Sequence, residues 1–296
     1  MLKHNKLSIR GPAQKAARVL TNSANRSGAA GRSVLAAGRT AAATWRRATL
    51  GLVFPGACVS CEAEMGGDSS PSNDVPLCAN CLDEMEFFDD ATCRQCGAPL
   101  PKVGQGADKM AKDAARNPGC YRCRGRKYWF QETIAAGLYL GRLRELLLRM
   151  KRAEGNALSL AVGQLVWRQR GEQFAALEAD VVVPIPLHWR RRLVHRTNSA
   201  ALLAEVFARR LKRPLAERLL RRRRHTASQF SLTPPQRWDN VRRAFGVRGG
   251  HHLNEAHVML VDDILTTGAT CSEAARALRN AGAARVTVVV AARAVH

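Results

Sequence analysis

The carboxy-terminal half of the chain alternates short apolar runs with stretches whose apolar residues recur at helical spacing. The runs predict buried strands at residues 135–139, 181–186, 258–261 and 286–290. The helical spacing predicts helices over about 143–150, 157–168, 198–211 and 273–278. Strands that alternate with helices along the chain indicate an α/β fold, with a parallel sheet flanked by helices.

The first half of the chain shows little helical periodicity, and its charge changes abruptly along the sequence. Residues 1–50 contain ten Lys and Arg and no acidic residue, whereas residues 51–130 contain nine basic and eleven acidic residues. Residues 131–296 contain 28 basic and 13 acidic residues. We therefore predict three regions with boundaries at 1–50, 51–130 and 131–296. The net charge of +23 favours a polyanionic partner.

Residues 1–50 are rich in Ala, Arg, Gly, Ser and Thr. This composition is typical of a disordered basic arm, and an organellar transit peptide or a misassigned start codon would also explain it. No apolar run has the length of a secretory signal or a transmembrane segment. Cytoplasmic localisation, with reduced thiols, is the resulting expectation.

Eight of the nine cysteines form four Cys-x-x-Cys pairs within the middle region. The pairs are Cys58/Cys61, Cys78/Cys81, Cys93/Cys96 and Cys120/Cys123. Because two such pairs complete a tetrahedral site, the pattern predicts two structural Zn²⁺ ions and a small Cys-rich double zinc ribbon. Sequential pairing is the simplest arrangement and interleaved pairing stays open, as do iron–sulfur clusters and redox dithiols. The ninth cysteine, Cys271, is expected to be a small residue at a helix start.

The segment after the strand at 258–261 has the chemistry of a sugar-phosphate site. Asp262 and Asp263 are expected at the carboxyl end of a strand, where parallel sheets bind ligands. The following turn is composed of small residues whose N–H and hydroxyl groups suit a phosphate: Thr266, Thr267, Gly268, Ala269 and Thr270. The carboxylates could hold vicinal hydroxyls and support Mg²⁺ through water and substrate oxygens. The alternative is that both acids merely cap the turn, with Thr270 or Ser272 as the helix N-cap.

Two arginine runs occur earlier in this half of the chain. Arg190, Arg191 and Arg192 follow a predicted strand, so they are expected at the same crevice, where cations could hold pyrophosphate. His195, Arg196 and Asn198 close that loop and are further candidates for binding pyrophosphate. The second run begins the polar segment 221–243, which could act as a flap over a ligand or bind single-stranded nucleic acid through Phe230 and Trp238.

The paired Cys-x-x-Cys motifs, Pro184-Ile185-Pro186-Leu187, the Arg-rich loop and the turn at 261–270 together resemble the ComF family. The resemblance covers about residues 52–294 and implies a double zinc ribbon before a type I phosphoribosyltransferase domain. It implies that Asp262 and Asp263 contact the ribose of 5-phosphoribosyl-1-pyrophosphate (PRPP), and that residues 266–270 surround its 5′-phosphate. One departure is that Arg196-Thr197-Asn198-Ser199-Ala200 is one residue shorter than the family pattern and lacks its Gln.

The resemblance also implies a role in DNA uptake during transformation, together with a competence helicase and recombination proteins. One hypothesis is therefore a PRPP-binding enzyme or sensor, with Mg²⁺ bound alongside PRPP. The other is an accessory protein that binds single-stranded DNA and keeps a vestigial or regulatory PRPP site. A nucleobase-salvage phosphoribosyltransferase is a third possibility, and the acceptor is not identifiable from the sequence.

Overall fold

A computed structural model describes residues 57–65, 75–88, 92–100, 120–152, 155–187, 198–224, 226–227, 232–249 and 251–295. The helices are α1 (Ala79–Asp83), α2 (Gly141–Arg149), α3 (Asn156–Ala176), α4 (Ser199–Leu211), α5 (Pro234–Val241) and α6 (Ala269–Asn280). The strands are β1 (Glu132–Leu138), β2 (Val181–Pro184), β3 (Leu220–Arg222), β4 (Phe245–Val247), β5 (His257–Leu265) and β6 (Arg285–Arg293). The N-terminal region 1–50 lies outside the described residues.

The central sheet has four parallel strands in the order β1-β6-β5-β2. Its apolar residues alternate between the two faces, as the period of a strand requires. Met259 and Val261 pack in one core cluster with residues of α2, α3 and α4. Val258 and Leu260 pack in the other, with residues of α6 and of the antiparallel β3–β4 ribbon. Both faces are covered, which explains the continuous apolar runs at the centre of the strands, and the predicted parallel α/β sheet is confirmed.

Several elements extend beyond the predicted bounds, among them β5, α3 and α6. Strand β5 continues through both aspartates to Leu265 because β6 offers partners as far as Arg293. Helix α3 continues to Ala176, since Phe174 is fully buried and packs against Phe207 at a ring-centroid distance of 5.1 Å. Helix α6 begins at Ala269, four residues before the predicted start.

The polar segment 221–243 contains regular structure that its composition did not predict. It includes the end of β3 and all of α5, which begins after a capping box formed by Thr233 and Gln236. Trp238 packs against Tyr128, with ring centroids 5.8 Å apart. Trp238 is only partly buried, so its role in base stacking stays a prediction, and Phe230 lies outside the described residues.

The Cys-rich region packs along β1, the edge strand of the sheet. Leu138 donates its backbone N–H to the Glu86 carbonyl at 2.9 Å, and Thr133 donates to the Arg94 carbonyl at 2.8 Å. A Cβ at Gly137 would collide with the Glu86 carbonyl oxygen, so this close approach requires glycine. The cysteine-rich segments thus occupy backbone groups that an open sheet edge would otherwise expose. In the part of the chain described, no helix combines the length and apolarity needed to cross a membrane.

Candidate phosphate-binding site and metal centres

Asp262 and Asp263 lie at the carboxyl end of β5, as predicted, but within the strand. Asp263 is paired with Lys151, whose Nζ lies 3.1 Å from the Asp263 Oδ2. Lys151 follows α2, so the end of this helix adds a cation to the end of β5. A lysine at this position lowers the electrostatic cost of holding two adjacent carboxylates in one crevice.

The carboxyl group of Asp262 is held from both sides. Its Oδ1 accepts the backbone N–H of Asp263 at 2.9 Å, and its Oδ2 accepts the Cys271 thiol at 3.6 Å. Burial, followed by the neighbouring charge of Asp263, raises the pKa of Asp262 to about 7. Burial likewise raises the pKa of the Cys271 thiol, which keeps it protonated. Asp262 is therefore poised to gain or lose a proton near neutral pH.

The turn after β5 leads directly into α6, and Gly268 is its N-cap residue. Gly268 has φ 80°, in the left-handed region, and caps the helix without a side chain. Thr270 and Ser272 are therefore not the N-cap, contrary to the capping alternative. The Oγ1 of Thr267 accepts the Ala269 N–H at 3.4 Å, which shapes the turn. The first N–H groups of a helix have no partners within the helix, so the start of α6 is suited to an anion.

Arg293 supports the candidate phosphate-binding turn, residues 266–270, from beneath. It lies beside Leu265 in the parallel register of β5 and β6, and only 7% of its surface is exposed. Its guanidinium donates to the carbonyls of Leu265 at 2.9 Å and Thr266 at 2.5 Å, and it also contacts the Ala294 carbonyl. Its Nε donates to the carbonyl of Cys96 at 2.7 Å. One buried side chain thus joins the turn to the Cys-rich region.

Tyr128 contacts the other end of the turn. Its hydroxyl donates to the Thr267 carbonyl at 3.4 Å. A Cβ at Gly268 would lie 2.7 Å from the Tyr128 ring, so the ring packs directly on this glycine. Phe130 stacks on Tyr128 at a centroid distance of 4.8 Å. Any side chain at position 268 would therefore both strain the backbone and displace Tyr128.

Most of the predicted pyrophosphate-binding residues lie outside the described part of the chain. This applies to Arg190, Arg191, Arg192 and Arg196. The described Asn198 donates its Nδ2 to the Ile185 carbonyl at 3.0 Å. This hydrogen bond joins the end of β2 to the start of α4, and so holds the two ends of the arginine loop together. A role for these residues in pyrophosphate binding stays a prediction.

The eight paired cysteines form two clusters of four, one from the first two pairs and one from the last two. Within each cluster the ligand atoms lie within 4.8 Å of one another. Sequential pairing is therefore confirmed, and interleaved pairing is wrong. Four sulfurs about 2.3 Å from a tetrahedral Zn²⁺ would lie about 3.8 Å apart. The sulfurs of Cys61 and Cys78 are 3.7 Å apart, and those of Cys93 and Cys123 are 3.8 Å apart. The two clusters therefore fit two structural zinc sites, one in each cluster.

The two clusters have different neighbours. The first packs against α2, where Arg149 contacts the Ser60 carbonyl and pairs with Glu62 at 3.8 Å. The second contains Cys96, whose carbonyl is bound by Arg293, and it precedes Tyr128 in the chain. Only the second cluster is therefore connected by these contacts to the phosphate-binding turn.

Sequence reasoning missed Lys151, Tyr128 and Arg293. Lys151 and Tyr128 resemble ordinary residues at the ends of elements. Arg293 follows a long apolar run in β6, and a charged residue at the end of that run was the one available signal. Its partners are distant in the sequence, so only the tertiary structure shows what it binds.

Comparisons with known proteins agree with these two regions. A family described as a double zinc ribbon domain matches residues 49–124, and one described as a phosphoribosyl transferase domain matches residues 197–296. Competence protein F of Haemophilus influenzae is 26% identical over 224 residues, which cover 74% of this chain and 90% of that protein. The DNA utilization protein YhgH of Escherichia coli is 26% identical over 244 residues, covering 80% of this chain and 96% of that protein.

Proposed function

Because this chain belongs to the ComF family, with a double zinc ribbon and a phosphoribosyltransferase domain, we propose that it binds PRPP together with Mg²⁺. The observation that carries the proposal is the placement of Asp262 and Asp263 beside the Gly268 turn at the start of α6. That combination suits a sugar phosphate, because hydroxyls donate to carboxylates and the phosphate accepts from helix N–H groups.

In this arrangement the two carboxylates orient the ribose hydroxyls, and residues 266–270 hold the 5′-phosphate. Mg²⁺ would offset the charge of the pyrophosphate while bound through substrate oxygens and water. Lys151 adds a cation next to Asp263. A transfer reaction would break the bond between the anomeric carbon and a pyrophosphate oxygen and form a bond from that carbon to an acceptor. Arg190, Arg191, Arg192, Arg196 and Asn198 would hold the departing pyrophosphate.

The test is calorimetric titration of the zinc-loaded protein with PRPP, with and without Mg²⁺, and with ribose 5-phosphate as the comparison ligand. We expect saturable binding that prefers PRPP and requires the metal. The double variant Asp262→Asn/Asp263→Asn should lose this binding and remain folded by circular dichroism. Wild-type affinity in the double variant would refute the assignment of these residues.

A second candidate function is binding of single-stranded DNA during DNA uptake, alongside a competence helicase and recombination proteins. Its support is the excess of 28 basic over 13 acidic residues in 131–296, together with the relatives named for competence and DNA utilization. The two functions are compatible in one protein. Affinity for an oligonucleotide that decreases steeply with salt would support this role, and no binding at low salt would exclude it.

A further inference from the structure

A basic groove lies between the β3–β4 ribbon and the carboxy-terminal half of α6. Its volume is about 400 Å³, within the range of small-ligand sites. Its walls carry six basic side chains: Arg223, Arg243, Arg248, His251, His252 and Arg276. No acidic residue is among those that line it. The groove is therefore a concave surface with one sign of charge, which concentrates anions.

Glu273, which precedes Arg276 by one turn on α6, already has two partners. Its Oε2 lies 2.8 Å from the Arg276 Nη2 and also accepts the backbone N–H of Arg243 at 2.7 Å. Within the described residues, the guanidinium groups of Arg223, Arg243 and Arg248 form no ion pair. Three exposed cations therefore line the groove without a carboxylate to neutralise them.

Two features place Arg223 and Arg243 at this groove. A Cβ at Gly246 would collide with the Arg223 Nε, so the guanidinium lies against the ribbon backbone at that glycine. Arg243 has φ 54°, a left-handed conformation that is costly for a residue other than glycine. The hydrogen bond from its N–H to Glu273 maintains that conformation.

The groove is separate from the phosphate-binding turn. The turn precedes Ala269, whereas the groove is lined by Arg276, Ala277 and Asn280 on the later turns of the same helix. At a rise of about 1.5 Å per residue, Arg276 lies roughly 10 Å and Asn280 roughly 16 Å along the axis from Ala269. A 5′-phosphate at the turn therefore does not occupy the groove.

We propose that this groove is a second phosphate-binding site, and that it takes a ligand with at least two phosphate groups. Guanidinium groups bind phosphate oxygens in bidentate fashion, and several of them around one groove match a chain of phosphates better than a single anion. Either a free polyphosphate or successive phosphodiesters of a single-stranded nucleic acid supplies this chemistry. The site does not depend on PRPP binding at the turn.

The test uses the full-length, zinc-loaded protein with two probes. Inorganic triphosphate is titrated by calorimetry, and a labelled oligothymidylate is titrated by fluorescence anisotropy at several salt concentrations. The variant Arg223→Gln/Arg248→Gln removes two groove cations. The matched control Arg209→Gln/Arg210→Gln removes the same charge from the exposed end of α4, and circular dichroism checks that both variants fold.

We expect the groove variant to weaken binding of at least one probe about tenfold or more. For the oligonucleotide, the slope of log affinity against log salt should decrease by about 2, because each missing arginine leaves one phosphate without its cation. The control should change affinity less than about threefold, because distant surface charge acts only through screened attraction. If the groove variant weakens binding of triphosphate but not of oligothymidylate, the ligand is a small polyphosphate. If it weakens binding of oligothymidylate, the ligand is a nucleic acid strand.

Two results would overturn the proposal: equal weakening in the groove and control variants, or no binding of either probe to the wild type at about 50 mM salt. PRPP affinity is measured in the same variants and should be unchanged. Failure of PRPP to bind the wild type would therefore refute the assignment of the turn as a PRPP site and would leave the proposal for the groove unaffected.

Discussion

Arg293→Met should detach the phosphate-binding turn from the second cysteine cluster. Methionine retains the apolar packing of the side chain but removes every donor of the guanidinium. The substitution therefore eliminates the hydrogen bonds to the carbonyls of Cys96, Leu265 and Thr266. The Leu265 carbonyl keeps a second donor, since it also accepts the Ala294 N–H at 2.9 Å.

The expected cost follows from the other carbonyls that lose this donor, those of Cys96, Thr266 and Ala294. A buried acceptor without a partner costs about 1–3 kcal/mol, so the buried carbonyls of Cys96 and Ala294 together cost about 2–6 kcal/mol, while the partly buried Thr266 carbonyl can bind water instead. This is a large share of the roughly 5–15 kcal/mol that stabilises an ordinary domain. Arg293→Lys retains the charge, but a single ammonium cannot span all of these carbonyls, so its destabilisation should be intermediate.

The assay is urea denaturation of the zinc-loaded protein, combined with PRPP titration at temperatures where each variant is folded. Arg285→Met is the matched control, because Arg285 begins the same strand and pairs with Glu132 at 2.5 Å near the surface. It should lose less than about 1 kcal/mol of stability and retain PRPP affinity. A wild-type urea midpoint for Arg293→Met would refute the reasoning. Reduced stability with unchanged PRPP affinity would limit Arg293 to supporting the fold.

Two further predictions concern Asp262 and the cysteine clusters. The pKa of Asp262 is about 7 in the folded protein against 3.8 as its ordinary value, so folding favours the protonated carboxyl, and this stabilisation is lost as pH rises through 7. Asp262→Asn should remove this loss, so at pH 8 the variant should unfold at a higher urea concentration than the wild type. The Mg²⁺-dependent PRPP affinity of the wild type should increase from pH 6 to 8. A wild-type urea midpoint and PRPP affinity that do not change with pH would contradict both expectations. Cys96→Ser should lower PRPP affinity about tenfold or more, whereas Cys61→Ser should change it less than about threefold, because only the second cluster contacts Arg293. Zinc analysis and circular dichroism would verify that each variant binds one ion fewer and stays folded, and equal effects on PRPP affinity would contradict the predicted difference.

The sequence by itself predicted the parts of the fold that depend on local pattern. A continuous apolar run such as 258–261 predicts a strand in a sheet that is covered on both faces, because every residue of the run is apolar. The Cys-x-x-Cys spacing places two thiolates on one tight turn, so each pair by itself predicts metal binding. The aspartates and the small-residue turn are contiguous in the chain, and their shared chemistry was therefore visible without coordinates.

Tertiary structure decided everything that joins residues distant in the chain. Arg293 and Cys96 are 197 positions apart, and Tyr128 and Thr267 are 139 apart, so no local pattern could pair them. The continuation of β5 through Asp262 depends on partners in β6, and the basic groove exists only because the β3–β4 ribbon packs beside α6. A sequence specifies which groups are available, whereas packing specifies which of them meet, because contacts between remote segments form only when the chain buries its apolar surfaces.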